Sequence, residues 1–233
     1  MIVSHKHRFI FLKTEKTAGT SLHHALAPFC GPDDIIVGPR RHPKTNKPIG
    51  RKPDPGLIGR HIDVPKAFKR RFPALGGYYA HMPAAQVRAL VGDDVWRGYF
   101  KFAVERNPWD RQVSNYFHRA NRREKRGLSP KSFDAYITSP ILRRVHHVRL
   151  DNWRIYTIDD AIAVDDVLRY EDLDNACRGL AERLGLPKTI ALPRVRGEHR
   201  PDGHGYRSYY SERTAAIVGR WYAKEIEAFG YAF

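Results

Sequence analysis

The chain has only two cysteines, Cys30 and Cys177, and no C-x-x-C spacing. That excludes a zinc or dithiol framework built on paired cysteines. Two inert thiols are the expectation, and a single disulfide has no positive support. No run approaches 18 apolar residues, so no transmembrane helix is expected. The opening MIVSHKHRFIFLK has too short an apolar core for a secretory leader and leads directly into a polar loop, so a cytoplasmic location is expected. Acidic residues are scarce. The 25 Asp and Glu face 41 Lys and Arg, for a net charge of +16 and a pI near 10.0. Such an excess favours an anionic partner: nucleic acid, a membrane surface, a phosphorylated or sulfated ligand, or an acidic glycan. Hydrophobic residues make up 42% of 233, which argues against global disorder and fits a single domain over residues 1–233.

Internal repeats are also absent. The one biased segment is residues 38–60, GPRRHPKTNKPIGRKPDPGLIGR, with five Pro, four Gly and seven Lys or Arg against one Asp. It reads as a long basic loop, either a surface insertion or a flap over an anionic acceptor. Elsewhere strands alternate with helices. Arg8 to Leu12 predicts a strand, followed by a polar turn and a helix carrying Leu22, Ala25 and Leu26. Ile35 to Val37 predicts a short strand and Tyr78 to Ala80 a strand end. Pro83 opens a helix that Gly92 stops. Tyr99 to Val104 is the clearest strand, followed by a helix from Trp109 to Arg123 with Trp109, Val113, Tyr116, Phe117 and Ala120 on its apolar stripe and Arg111, Arg119, Arg122 and Arg123 on its other faces. Asp166 to Arg169 predicts a strand. Asn175 to Leu184 predicts a helix closed by Gly185, and a last helix starts near Ser208. The alternation predicts a three-layer α/β fold with a central parallel sheet.

The turn after the first strand reads KTEKTAGTSL from Lys13 to Leu22. A helix N-terminus leaves backbone N–H groups unpaired, and its dipole adds about half a positive charge there. Small residues let an anion approach the backbone. Gly19 supplies that approach, Thr17, Thr20 and Ser21 supply hydroxyls, and Lys13 and Lys16 supply cations. A Walker A loop is missing, because no glycine opens the turn and no Gly-Lys-Ser/Thr closes it. That disfavours a nucleoside triphosphatase.

The segment EKTAGTS resembles the 5′-phosphosulfate-binding loop of the carbohydrate sulfotransferases, commonly PKTAGTS or PKTGGTS, with Glu15 here in place of Pro. A second segment, ERNPWDRQVSNYFH, matches that family's Arg-x-Pro-x-x-Arg-x-x-Ser-x-Tyr pattern at Arg106, Pro108, Arg111, Ser114 and Tyr116. The resemblance extends more weakly through LRYEDLDNACRGLAERLGLP and the last thirty residues. It implies a P-loop-NTPase-like sulfotransferase fold and an enzyme. The short chain without a membrane anchor leads us to expect a bacterial protein, and a sulfuryl group, which carries less charge than a phosphoryl group, leads us to expect no metal. The implied donor is 3′-phosphoadenosine 5′-phosphosulfate (PAPS), leaving adenosine 3′,5′-bisphosphate as product. Lys13, Lys16, Thr17, Ala18, Gly19, Thr20 and Ser21 would then cradle the 5′ side, and Arg106 and Ser114 would hold the 3′-phosphate. In relatives a loop before the last helix closes on the donor, which makes Arg200, Tyr206 and Arg207 candidates within RVRGEHRPDGHGYRS.

Sulfuryl transfer is an in-line displacement, so the protein's task is alignment and charge stabilisation. Lys16 would neutralise charge growing on the leaving phosphate. The acceptor hydroxyl must lose a proton, and His81, in a His-x-Pro ahead of a helix, is the candidate base, with Glu15 and Glu105 as carboxylate alternatives. The pairs His23–His24 and His146–His147 are adjacent in sequence and so do not share a helix face, which argues against a metal site. The expected partner is a carbohydrate or other hydroxyl-bearing acceptor, anionic if the basic segments contact it. Two other classes remain open from the residues alone: a kinase-like phosphotransferase with a degenerate phosphate loop, and a basic nucleic-acid-binding protein, although no recognised nucleic-acid motif is present.

Overall fold

Apolar alternation and helix punctuation build most of the expected elements over the residues that the computed structural model describes, namely 1–38, 71–72, 77–141, 148–192 and 204–233. In chain order these are β1 (Ile2–Ser4), β2 (Phe9–Phe11), α1 (Gly19–Leu26), β3 (Ile35–Ile36), α2 (Ala84–Val91), α3 (Asp93–Gly98), β4 (Phe100–Glu105) and α4 (Pro108–Glu124). There follow α5 (Phe133–Thr138), α6 (Trp153–Tyr156), β5 (Thr157–Ile158), β6 (Ala161–Ile162), β7 (Asp166–Arg169), α7 (Leu173–Arg183), α8 (Glu212–Trp221) and α9 (Ala223–Phe229). They group into two compact units, Met1–Glu105 with Asn152–Val195, and Arg106–Asp151 with Arg196–Phe233. The basic segment beyond Gly38, the pair His146–His147 and Arg200 lie outside the described residues.

The first unit is a three-layer α/β arrangement. Its sheet has the order β3-β1-β2-β4-β7. Strand alternation sends Ile2, Phe9, Phe11, Phe102 and Val104 to one face, where they form a core with Leu22 and Leu26 of α1 and Leu173, Cys177 and Leu180 of α7. Val3, Ile10, Leu12 and Ala103 alternate to the other face and are fully buried. On that face the Lys101 ammonium stands over the Trp96 ring of α3, and Tyr156 of α6 donates to Glu105. The pairings β2–β4 and β4–β7 are parallel. The sheet is not wholly parallel, however, because β1 runs antiparallel to both β2 and β3. That three-residue strand escapes a periodicity search because it is too short to show a period. The expected strand end at Tyr78 to Ala80 is a coil, bracketed by left-handed Gly77 and His81.

The second unit is helical. Asn107 caps α4 through its side-chain oxygen, and Pro108 takes the first helical position. Trp109, Val113, Phe133, Tyr136, Ile137, Val148, Val218 and Tyr222 form its core. Polar residues of α4 are also buried. Arg111, which the stripe argument puts on another face, has no exposed surface. It pairs with Glu225 at 3.3 Å and lies over the Tyr222 ring. Gln112 and Asn115 both donate to the Val148 carbonyl. The expected last helix is two helices preceded by a short 3-10 turn, Tyr206–Tyr209. Ser211 and Thr214 form a reciprocal capping box that fixes the start of α8, and Tyr222, at φ −120°, separates α8 from α9. Both cysteines are free, and no helix among the described residues is long and apolar enough to cross a membrane.

One buried carboxylate ties the β1–β2 turn to the segment before β3. Asp34 accepts from the Ser4 hydroxyl at 2.6 Å and from the backbone N–H groups of His5, Lys6 and Gly31. Burial alone would raise its pKa, but those four donors hold it below the ordinary 3.8. A depressed carboxylate pKa adds stability above the unfolded value that is lost as pH falls through the folded one. Asp34→Ala is expected to lower unfolding free energy by roughly 1–3 kcal/mol at pH 7, with the gap to wild type narrowing below about pH 4. Urea denaturation at several pH values measures this, and an unchanged midpoint at pH 7 would refute it.

Candidate active site

The parallel pairing of β2 with β4 brings their C-terminal ends to the same edge of the sheet, where open α/β sheets bind ligands. The 13–21 loop leaves β2 at that edge. It is fastened to β4 by Thr14, whose hydroxyl donates to the Val104 carbonyl at 2.5 Å. The Thr14 and Thr17 hydroxyls are 2.6 Å apart. Because Thr14 has already donated its one hydrogen, Thr17 must donate to Thr14. The Thr17 hydroxyl is fully buried in this relay, so Thr17 can serve an anion through its backbone and not through its side chain.

The loop main chain is strained. Lys16 and Ala18 have φ of 64° and 57°, in a region that costs non-glycine residues of order 1–2 kcal/mol each. His81, at 59°, is a third such residue. Half of the six described non-glycine residues with positive φ, the others being Arg8, Asp159 and Asp160, therefore gather at this site. Left-handed Ala18 is the N-cap of α1, and no side chain caps the helix. The contrast with α4 is direct, because Asn107 accepts from the N–H groups of Trp109 and Asp110 there. Of the two strand-to-helix junctions that carry the sequence motifs, the first has no side-chain cap on its helix N-terminus, which leaves N–H groups that suit an anion. Gly19 is required by space. A Cβ there would lie 2.9 Å from Lys13 Cγ and 3.2 Å from the Thr14 carbonyl. Lys13 reaches across the loop and donates to the Thr20 hydroxyl at 3.2 Å, and Ser21 is half-buried in the first turn of α1.

What holds the strained segment is Asn152, a residue the sequence patterns missed. Its side-chain oxygen accepts from the Glu15 N–H at 2.8 Å, and its amide nitrogen donates to the Glu15 carbonyl at 3.0 Å. Asn152 is fully buried. It thus pairs with both main-chain groups of one residue, as a neighbouring strand would. Nothing local signals this, because the partners are 137 positions apart.

His81 is brought to the same loop. Its Nδ1 lies 2.8 Å from the Lys13 carbonyl. A carbonyl only accepts, so Nδ1 carries the hydrogen, and in the neutral ring Nε2 is the acceptor nitrogen. Burial lowers the His81 pKa below 6.5. The Glu15 carboxylate and the Lys13 carbonyl oppose that shift, and the Lys13 cation adds to it. The ring is therefore neutral near pH 7 and has the tautomer of a general base. Glu105, a carboxylate alternative, is fully buried and accepts from Tyr156.

In the second unit, Arg106 is largely buried and its Nε donates to Asp110 Oδ2 at 2.6 Å. Asp110, in the first turn of α4, orients the guanidinium and is a second residue that the sequence pattern does not mark. Ser114 lies half-buried farther along α4. Tyr206 and Arg207 form the 3-10 turn. The guanidinium of Arg207 donates to the main-chain oxygen of Phe233 at 2.8 Å. Arg111, although part of the motif, is engaged with Glu225 inside the core. Among the described residues no three His, Cys, Asp or Glu side chains gather as a metal site.

A family model described as the sulfotransferase family matches residues 1–232. An uncharacterized protein of Archaeoglobus fulgidus is 28% identical over 111 residues, which are 47% of this chain and 87% of that protein. A solved structure, a sulfotransferase from Alicyclobacillus acidocaldarius, has 20% identity and a TM-score of 0.49, over 97% of this chain and 96% of that one.

Asn152→Ala removes the partners of both Glu15 main-chain groups. It is expected to cost about 1–3 kcal/mol of stability and to free the loop. Urea unfolding, with proteolysis at Lys13 and Lys16 as a local probe, measures both effects. An unchanged midpoint together with an unchanged cleavage rate would refute the anchoring role.

Proposed function

We propose, because the chain belongs to the sulfotransferase family, that it transfers a sulfuryl group from PAPS to a hydroxyl of an anionic carbohydrate. The observation that carries this assignment is the 13–21 loop, a strained, uncapped helix N-terminus flanked by Lys13 and Lys16, with a neutral histidine hydrogen-bonded to its first carbonyl. A phosphosulfate fits these groups, since it is an anion that accepts from backbone N–H groups and pairs with ammonium groups.

PAPS supplies an activated sulfuryl group on a phosphate leaving group. Lys16 neutralises charge that grows on that phosphate. The backbone of Thr17, Ala18 and Gly19, with Thr20, Ser21 and Lys13, binds the 5′ side. The sequence motif assigns Arg106 and Ser114 to the 3′-phosphate, with Asp110 orienting the arginine, and the loop before the last helices offers Tyr206 and Arg207 to the donor. His81 takes the acceptor proton at Nε2 while its Nδ1–H stays on the Lys13 carbonyl, so the ring keeps its orientation as it becomes charged. Glu15 then lies where a carboxylate helps the imidazolium form. The acceptor class rests on the net charge of +16 and on exposed Arg122, Lys125 and Arg126 at the end of α4 and beyond, which suit a polyanion.

Thermal shift with adenosine 3′,5′-bisphosphate, compared with ATP and magnesium, tests the donor. Stabilisation by the bisphosphate alone, lost in Arg106→Ala, is the expected result, whereas a response to magnesium-ATP alone would favour a phosphotransferase. For the base, turnover is expected to be level above about pH 7 and to fall below pH 6.5, as His81 takes up its proton at a pKa lower than the ordinary value. His81→Ala should lower turnover on the order of 10²-fold and abolish that acid limb. A variant that keeps wild-type turnover removes His81 as the base.

A further inference from the structure

Residues beyond a last helix are loose unless something ties them down. Here the two residues at the end of the sequence, Ala232 and Phe233, are held by several side chains, all within the second unit. The Asn107 amide nitrogen donates to the Ala232 carbonyl at 2.9 Å. The Tyr206 hydroxyl is within 3.4 Å of the same carbonyl, and Arg207 donates to the Phe233 oxygen at 2.8 Å. The Phe233 ring makes edge contacts with Trp109, Tyr206 and Tyr210, with centroids 5.6, 5.9 and 5.4 Å away. Such contacts depend on ring orientation as well as on burial. Phe233 is nevertheless 40% exposed, so it contributes little as a core residue, and its orientation is its distinguishing feature.

The residues it touches are not arbitrary. Asn107 adjoins Arg106 and caps α4, the helix that carries Asp110 and Ser114. Trp109, in the first turn, donates its indole N–H to the Ala215 carbonyl and accepts from the Tyr210 hydroxyl at its own carbonyl. Tyr206 and Arg207 form the 3-10 turn. The tail therefore links the start of α4 to that turn. One amide serves both sides, with Oδ1 capping the helix and Nδ2 holding the tail.

We propose that Asn107, Ala232 and Phe233 form a latch that positions Arg106 and the Tyr206–Arg207 turn for the 3′-phosphate end of the donor. This rests on the donor assignment above. Phe233 and Asn107 are positioning residues. They act on donor affinity through Arg106 and Arg207, and they leave the 13–21 loop untouched.

The test compares adenosine 3′,5′-bisphosphate with adenosine 5′-monophosphate, which lacks the 3′-phosphate, by calorimetry on wild type, Phe233→Ala, Phe233→Tyr and Asn107→Ser. Serine still caps a helix but is too short to reach Ala232. Bisphosphate affinity is expected to fall about tenfold in Phe233→Ala and Asn107→Ser, with monophosphate affinity unchanged and Phe233→Tyr close to wild type. In turnover, the donor KM should rise by the same factor while kcat at saturating donor holds. Equal weakening of both nucleotides would overturn the latch by making the residues merely structural, and so would unchanged bisphosphate binding. If Phe233→Ala fails to fold, Asn107→Ser alone decides between these outcomes. A wild-type protein that binds no bisphosphate would overturn the donor assignment itself, and the latch role with it.

Discussion

The grip of the Asn152 amide on the Glu15 main chain allows the loop to be what it is. A backbone carrying left-handed lysine and alanine within three residues relaxes unless something outside the loop opposes it. Asn152 opposes it with hydrogen bonds to both main-chain groups of Glu15, while Thr14 fastens the strand side to β4. Between those two supports the N–H groups at the start of α1 are left uncapped, and Gly19 keeps Lys13 packed against the turn. The shape of the loop is thus a conformation imposed by its neighbours, and it is in place before any ligand arrives.

The same fastening sets the electrostatics. His81 is hydrogen-bonded to the carbonyl of Lys13, the residue that opens the loop, so the imidazole and the lysine-bearing loop share one piece of backbone. Burial and the Lys13 cation disfavour the imidazolium, and Glu15 favours it. The acid at position 15, where the carbohydrate sulfotransferases commonly have proline, therefore sits beside a ring whose charged form it favours.

The strands at Arg8 to Leu12, Tyr99 to Val104 and Asp166 to Arg169 were legible because apolar β-formers ended at clear turns, and Gly92 and Gly185 ended helices where expected. The loop was legible for the same reason, since its groups are consecutive. What was not legible depended on distant partners. Asn152 has no local signature, and Arg111 appears as a surface residue until Glu225 and Tyr222 are seen beside it. Strand β1 is too short for periodicity. Thr17 looks like an exposed hydroxyl until the Thr14 relay accounts for its hydrogen. The break between α8 and α9 comes from the backbone of Tyr222, a residue anchored by its hydroxyl to Gln112.

The sheet order also has a kinetic side. Strands β1 and β2 form a hairpin across a short turn, a contact that closes early because little chain entropy opposes it. The β2–β4 pairing joins Phe9 to Phe100, across a long intervening chain, and closes late. Asn152 lies farther along still. A nascent or refolding chain would therefore hold β2 in place while the segment after it is unsupported, and the strained loop would take its shape only with the last long-range contacts. Ordering of the 13–21 loop thus belongs to completion of the first unit and not to the appearance of its local secondary structure.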